Sequence, residues 1–114
     1  MNDNKPEIIN ESAGSNSAEL EIRAPATLVY FQGHFPDQPV LPGVVQLHWA
    51  IHLARERFEL KPSFRGMEVL KFHRIIEPDT PVTLVIESLD EGSKLKFSYT
   101  SELGMHSQGR VLFE

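Results

Sequence analysis

Gly33-His34-Phe35-Pro36-Asp37-Gln38-Pro39-Val40-Leu41-Pro42-Gly43-Val44-Val45-Gln46-Leu47-His48 is the stretch on which the fold turns. Three prolines and two glycines between positions 33 and 43 exclude a regular helix, and prolines at that density exclude a central strand. Beyond Gly43 the pattern changes. Val44, Leu47, Ile51, Ala54 and Phe58 recur at steps of three and four, which predicts a helix with one apolar stripe. Pro42 suits the start of such a helix, Gly43 lets the backbone come close to something there, and Pro62 ends the region. The helix is expected over Gly43–Leu60.

Outward from this loop and helix the chain reads as strands. Leu20, Ile22 and Ala24 alternate with Glu19, Glu21 and Arg23, a half-buried strand that Pro25 interrupts. Residues 27–32 are β-branched and aromatic, so they too are expected to be extended. After the helix, Gly66–Arg74, Pro81–Leu89, Lys94–Ser101 and His106–Phe113 are expected as four strands. Pro78-Asp79-Thr80-Pro81, Asp90-Glu91-Gly92-Ser93 and Glu102-Leu103-Gly104 are read as the turns between them. Residues 1–17 are polar, show neither period, and are expected as a flexible N-terminal tail, with at most a short strand near Glu7–Ile9; the domain proper is 18–114. One long helix on an antiparallel sheet is an α+β arrangement.

Composition bounds the function. The chain has 114 residues, enough for one domain with a small core, so a pocket built between subunits is a reasonable expectation. The absence of cysteine removes disulfides, thiolate nucleophiles and thiolate-bound zinc. A net charge of -5, from 11 basic and 16 acidic residues, argues against nucleic acid as the main partner. No apolar run is long enough to span a membrane, and the first residues do not resemble a signal peptide, so the expected location is cytoplasmic.

The quoted stretch is also the one that looks chemically loaded. The first amides of a helix lack intrahelical acceptors and carry partial positive charge, so they can hold a carbonyl oxygen that becomes anionic. His34, in a proline-braced loop just before such a terminus, can take a proton near neutral pH. A base and an oxyanion site are two parts of enolate chemistry. On residues alone the plainer reading stays open: His34 is a loop histidine and the prolines set a turn.

His34, Phe35, Pro36, Pro39, Pro42, Gly43 and Val44 stand at the spacing His-Phe-Pro-x-x-Pro-x-x-Pro-Gly-Val. This resembles the signature of the FabA/FabZ-type β-hydroxyacyl-acyl-carrier-protein dehydratases. Within that family, the run 38–47 and the ending His106-Ser107-Gln108-Gly109-Arg110 are most similar to the short dehydratase-like proteins of aryl polyene gene clusters. The resemblance implies a hot-dog fold, in which an antiparallel sheet wraps a long helix. It implies elimination of water from a 3-hydroxyacyl thioester of acyl carrier protein or coenzyme A, giving the trans-2-enoyl thioester, without a cofactor. His34 would remove the C2 proton. The Gly43 amide, with Val44, Phe35 and Pro42 around it, would bind and polarise the thioester carbonyl. An Asp or Glu on the neighbouring subunit's helix handles the departing hydroxyl in that family, which implies a homodimer or a hetero-oligomer with a paralogous dehydratase.

The chain departs from the signature twice. Asp37 replaces the glycine after Pro36, and His48 stands where the helical Asp or Glu belongs. An ordinary imidazole titrates near pH ~6.5 and is a different proton donor from a carboxylic acid. Three readings follow: a dehydratase using His34 and His48, a mixed oligomer whose paralogue supplies the carboxylate, or a non-catalytic acyl-binding subunit. An acyl thioesterase is a further alternative, with Asp37 as the loop's carboxylate.

His48 and His52 share a helix face and could hold zinc, but the Glu of a His-Glu-x-x-His site is missing, so no metal is assigned. Trp49 is expected in the core or an interface. Arg55, Arg57, Lys61, Arg65, Lys71 and Arg74 are candidates for a basic rim facing an acidic carrier protein, or are simply solvated.

Overall fold

The computed structural model describes residues 5–28 and 40–114. In chain order the elements are β1 (Glu7–Ala13), β2 (Ser17–Arg23), α1 (Gly43–Arg57), β3 (Phe64–Phe72), β4 (Val82–Leu89), a single 3-10 turn (Asp90–Gly92), β5 (Lys94–Ser101) and β6 (Gly104–Phe113). All pairings are antiparallel, and the strands lie in the order β1-β2-β4-β5-β6-β3. The helix lies across the inner face. Period-2 alternation sends Leu20 and Ile22, Leu84 and Ile86, Leu95, Phe97 and Tyr99, and Val111 and Phe113 toward it. Trp49, Ala50, Leu53 and Ala54 meet them from α1. This is the α+β arrangement the hydropathy pattern predicts.

Three expectations are corrected. First, Glu7–Ala13 is a seven-residue strand paired along β2, where a loose tail with a short strand near Glu7–Ile9 was expected. All seven side chains are exposed, so hydropathy does not show its full length; backbone pairing to β2 makes the strand. Second, the buried helix face is Val45, Gln46, Trp49, Ala50, Leu53 and Ala54. Val44, placed in the apolar stripe, is 72% exposed, while Leu47, Ile51 and Phe58 pack at the margin of the core. Third, α1 stops at Arg57. Phe58 turns extended (φ -134°, ψ 156°), and Arg55 takes up the carbonyls of Lys61 and Pro62 at 3.2 and 3.3 Å. Strand β3 begins and ends two residues before the expected Gly66–Arg74, and β6 begins two residues before His106.

The β4–β5 turn is built on left-handed residues, Asp90 (φ 51°), Glu91 (φ 57°) and Gly92 (φ 86°). Gly92 is needed twice over. Its φ disfavours a side chain, and a Cβ there would collide with the Glu59 carbonyl just past the helix. The Gly92 carbonyl also accepts from the Lys61 N–H at 2.8 Å. Gly92→Ala is expected to cost about 1–2 kcal/mol, read as a lower midpoint with unchanged slope in urea unfolding.

Strand β1 is tied to the end of α1. Glu11 takes two charge-assisted bonds from Arg57, at 2.6 Å from Nε and 2.7 Å from Nη2. These bonds hold the Glu11 carboxyl below its ordinary range. A depressed carboxylate stabilises above its unfolded pKa and loses that contribution as pH falls through the folded one. Glu11→Gln at neutral pH, or acidification of the native protein below about pH 4.5, the ordinary carboxylate value, should therefore speed amide exchange in β1. The global midpoint should move by less than about 1 kcal/mol equivalent, because the pair is partly exposed.

Candidate active site at the start of the helix

The loop enters α1 through Pro42, whose extended backbone (φ -60°, ψ 146°) occupies the N-cap. Proline supplies no capping side chain there, and the first turn carries no acidic residue. The Val45 and Gln46 N–H groups are spent on the Pro42 carbonyl at 3.1 and 3.2 Å. The Gly43 and Val44 amides have no acceptor among the described residues. They lie at the positive end of the helix, the position where an oxyanion is stabilised.

A groove of about 350 Å³ opens at this terminus. One side is Val40 to Gly43 with Gln46; the other is the segment from Phe72 to Ile75 that leaves β3. The Phe72 ring lies on Gly43 so closely that a Cβ there would sit 2.5 Å from its tip. Only glycine admits the ring in this position, in line with the close approach expected at Gly43. Phe72 is itself half exposed.

Buried polar groups set both sides. Leu41 donates to the Ile76 carbonyl at 2.8 Å and accepts from Gln46 Nε2 at 3.0 Å. Gln46 Oε1 accepts from Ser107 Oγ at 2.7 Å, and the Gln46 carbonyl accepts from the Tyr99 hydroxyl at 2.7 Å. Full burial pushes the Tyr99 phenol far up, so it stays a neutral donor. Among the described residues no buried side-chain nitrogen or oxygen is left without a partner. None of Gln46, Phe72, Tyr99, His106 or Ser107 was assigned a site role from sequence. A glutamine inside a helix and a serine inside a strand carry no local mark of burial; Gln46, His106 and Ser107 stand out only as parts of the runs 38–47 and 106–110 that carry the resemblance.

Of the predicted site residues, Pro42 and Gly43 form the helix start, and Val44 projects outward beside them. His34 and Phe35, like Asp37, lie outside the described residues. His48 is exposed on α1. Five residues of α-helix rotate by about 140° beyond a full turn, so His48 faces away from the groove that Gly43 and Gln46 line. Its ring stacks on His52, with centroids 6.5 Å apart, and His52 in turn reaches Glu56 at 3.4 Å. Trp49 is core, 3% exposed. Two of the six rim cations are engaged inside the fold: Arg57 with Glu11, and Arg55 over the Phe113 ring at 4.8 Å. Arg74 lines the groove, and Lys61, Arg65 and Lys71 are exposed. No helix among the described residues is long and apolar enough to cross a membrane.

A long helix packed on an antiparallel sheet, with a proline-glycine step whose amides have no acceptor among the described residues at a groove, is the arrangement of a hot-dog protein. The family model of the ApeI-like dehydratases, described as ApeI dehydratase, matches residues 10–110. The chain belongs to that ApeI-like dehydratase family, within the FabA/FabZ-like hot-dog group. It is similar to a chain of the dehydratase heterocomplex ApeI:P from Xenorhabdus doucetiae, with 32% identity, 95% of this chain and 96% of that one covered, and a TM-score of 0.86. It is also similar to the 3-hydroxyacyl-(acyl-carrier-protein) dehydratases FabZ of Clostridium perfringens and Caldicellulosiruptor bescii. The first is 34% identical over 90 residues, covering 73% of this chain and 62% of the relative. The second is 38% identical over 66 residues, covering 52% and 46%. The chain spans about half the length of most of the curated relatives it matches.

Proposed function

We propose that this chain is a subunit of a 3-hydroxyacyl-thioester dehydratase that acts on acyl carrier protein thioesters in fatty-acid or polyene-type biosynthesis. The observation that carries the reading is the start of α1 at the groove, where the Gly43 and Val44 amides have no acceptor among the described residues. In the reaction, His34 takes the C2 proton, and the electron pair moves toward the thioester carbonyl, whose oxygen the Gly43 amide stabilises. The C3–O bond then breaks, and the hydroxyl leaves as water with a proton from an acid on the far side. Atoms balance with no oxidant, reductant or cofactor.

The acid comes from a second subunit. His48 points away from its own chain's groove, so it can serve only a neighbour's. Phe64, Leu70, Phe72 and Ile75, exposed on or just beyond the outer strand β3, give a second chain apolar surface to cover. Two assemblies fit. In a homodimer His48 donates the proton. In a mixed oligomer a paralogue contributes a carboxylate to the groove of this chain. The likeness to a chain from a dehydratase heterocomplex favours the second.

The test is dehydration of a 3-hydroxyacyl carrier-protein thioester by the purified chain, alone and co-expressed with an acid-bearing paralogue. Enoyl thioester formed in either case supports the reading, and the case in which it forms identifies the assembly. If neither preparation forms enoyl product while acyl thioester still binds, the chain is an acyl-binding subunit. Release of free thiol would instead mark a thioesterase.

A further inference from the structure

Strand β6 breaks its alternation at one place. Tyr99 pairs with Ser107 and Thr100 with Met105, so His106 is an extra residue, a bulge. Consecutive strand residues normally face opposite sides of a sheet, yet His106 and Ser107 are both buried, 1% and 0% exposed. Each grips one side of the groove. His106 Nδ1 donates to the Ile75 carbonyl at 2.9 Å, which fixes the tautomer and leaves Nε2 to accept from Ser101 Oγ at 2.6 Å. The His106 carbonyl accepts from the His73 and Arg74 N–H groups at 2.8 and 3.1 Å. Ser107 holds the Gln46 amide, whose other end holds the Leu41 carbonyl, two residues before Gly43.

We propose that the His106–Ser107 bulge is a positioning element for the dehydratase reaction, setting the Gly43 and Val44 amides on one side of the groove against the 73–75 wall on the other. The inference rests on the reading given under the proposed function. A single strand contacts both sides of the groove. The chain of contacts runs from Ser107 through Gln46 and Leu41 to the amides, with Tyr99 fixing the Gln46 backbone from β5. Removing the Ser107 hydroxyl leaves the buried Gln46 oxygen without its donor, so the side chain turns and releases Leu41. The amides then shift relative to the carbonyl they must meet, and small displacements of that kind act on the transition state more than on binding.

The experiment compares Ser107→Ala, Ser107→Thr, Tyr99→Phe and Val111→Ala in the full chain, assembled with its acid-supplying partner if one is needed. Turnover and the ¹H–¹⁵N resonances of Gly43 and Val44 are both measured. Ser107→Ala should lower kcat about tenfold with KM within about twofold, and should move both resonances. Ser107→Thr, which keeps the hydroxyl, should recover most of the kcat. Tyr99→Phe keeps the ring and should lower kcat about threefold, which covers the case in which Ser107→Ala does not fold. Val111→Ala, a core change on the same strand, should lower the thermal midpoint and leave kcat intact well below it. Unmoved Gly43 and Val44 resonances in Ser107→Ala, or an equal kcat loss in Val111→Ala, would overturn the inference. If the wild-type assembly has no dehydratase turnover, the functional reading fails, and the resonance shifts alone decide the positioning role.

Discussion

Replacing His34 by alanine is expected to lower dehydration of a 3-hydroxyacyl carrier-protein thioester by about 10²–10⁴-fold, the usual worth of a positioned general base. The reason is chemical. The C2 proton of a thioester is weakly acidic, and the Gly43 amide can stabilise the resulting oxyanion only once something has taken the proton. Among the described residues that line the groove, His73 is the one imidazole; it stands on the wall opposite Gly43 with its Nε2 3.3 Å from Gln108 Nε2, so His73→Ala is the control that tells the two histidines apart. KM should change little, because the acyl chain and the thioester carbonyl contact other groups. The measurement is steady-state kinetics on the same assembly that supports wild-type turnover, with thermal unfolding alongside. Turnover within about threefold of wild type, at an unchanged melting temperature, would remove His34 from the mechanism.

The second large effect is expected at His48, and its sign depends on the assembly. In the pure chain, His48→Glu should raise dehydration about a hundredfold, because it places a carboxyl where the family signature has one, on the exposed helix face that the proposed assembly turns to a neighbour. In a mixed oligomer whose paralogue already supplies the carboxylate to His34's groove, the same substitution should change turnover by less than about twofold. Measuring both preparations with one substrate separates the two. A pure His48→Glu protein that stays inert, together with a mixed oligomer that is equally inert, would leave only acyl binding. Exposure of His48 makes the substitution structurally mild, so stability should not confuse the result.

The sequence made some of this legible and hid the rest for identifiable reasons. Lys94–Ser101 is found where alternation put it, and Gly43 opens the helix where the proline spacing put it. Those are places where local preference and tertiary packing agree. The buried helix face was misplaced by one residue, Val45 rather than Val44. The run of Val44, Val45, Leu47, Trp49, Ala50, Ile51, Leu53 and Ala54 is apolar nearly all round, so its period cannot decide which side meets the sheet. Strand β1 was legible only as a short strand near Glu7–Ile9, and its extension to Ala13 was not, because nothing in it is buried. The amide terminus was readable from Pro42-Gly43, but the groups that hold it were not. Gln46, Tyr99 and Ser107 are brought together by sheet register across α1, β5 and β6, and a bulge at His106 is needed to aim the last of them. Register of that kind depends on the whole sheet.

The sheet order has a consequence for how the chain is made. During synthesis β3 emerges directly after the helix, yet its partner is the last strand: Phe64 must wait for Phe113, and Phe72 for Ser107. A nascent polypeptide therefore carries Phe64, Leu70 and Phe72 on an unpaired ribbon until translation has passed β6. The ribosome delivers the helix, β4 and β5 before the groove can close. The wall that faces Gly43 is thus paired late, and a stalled or prematurely released chain would expose a sticky apolar edge.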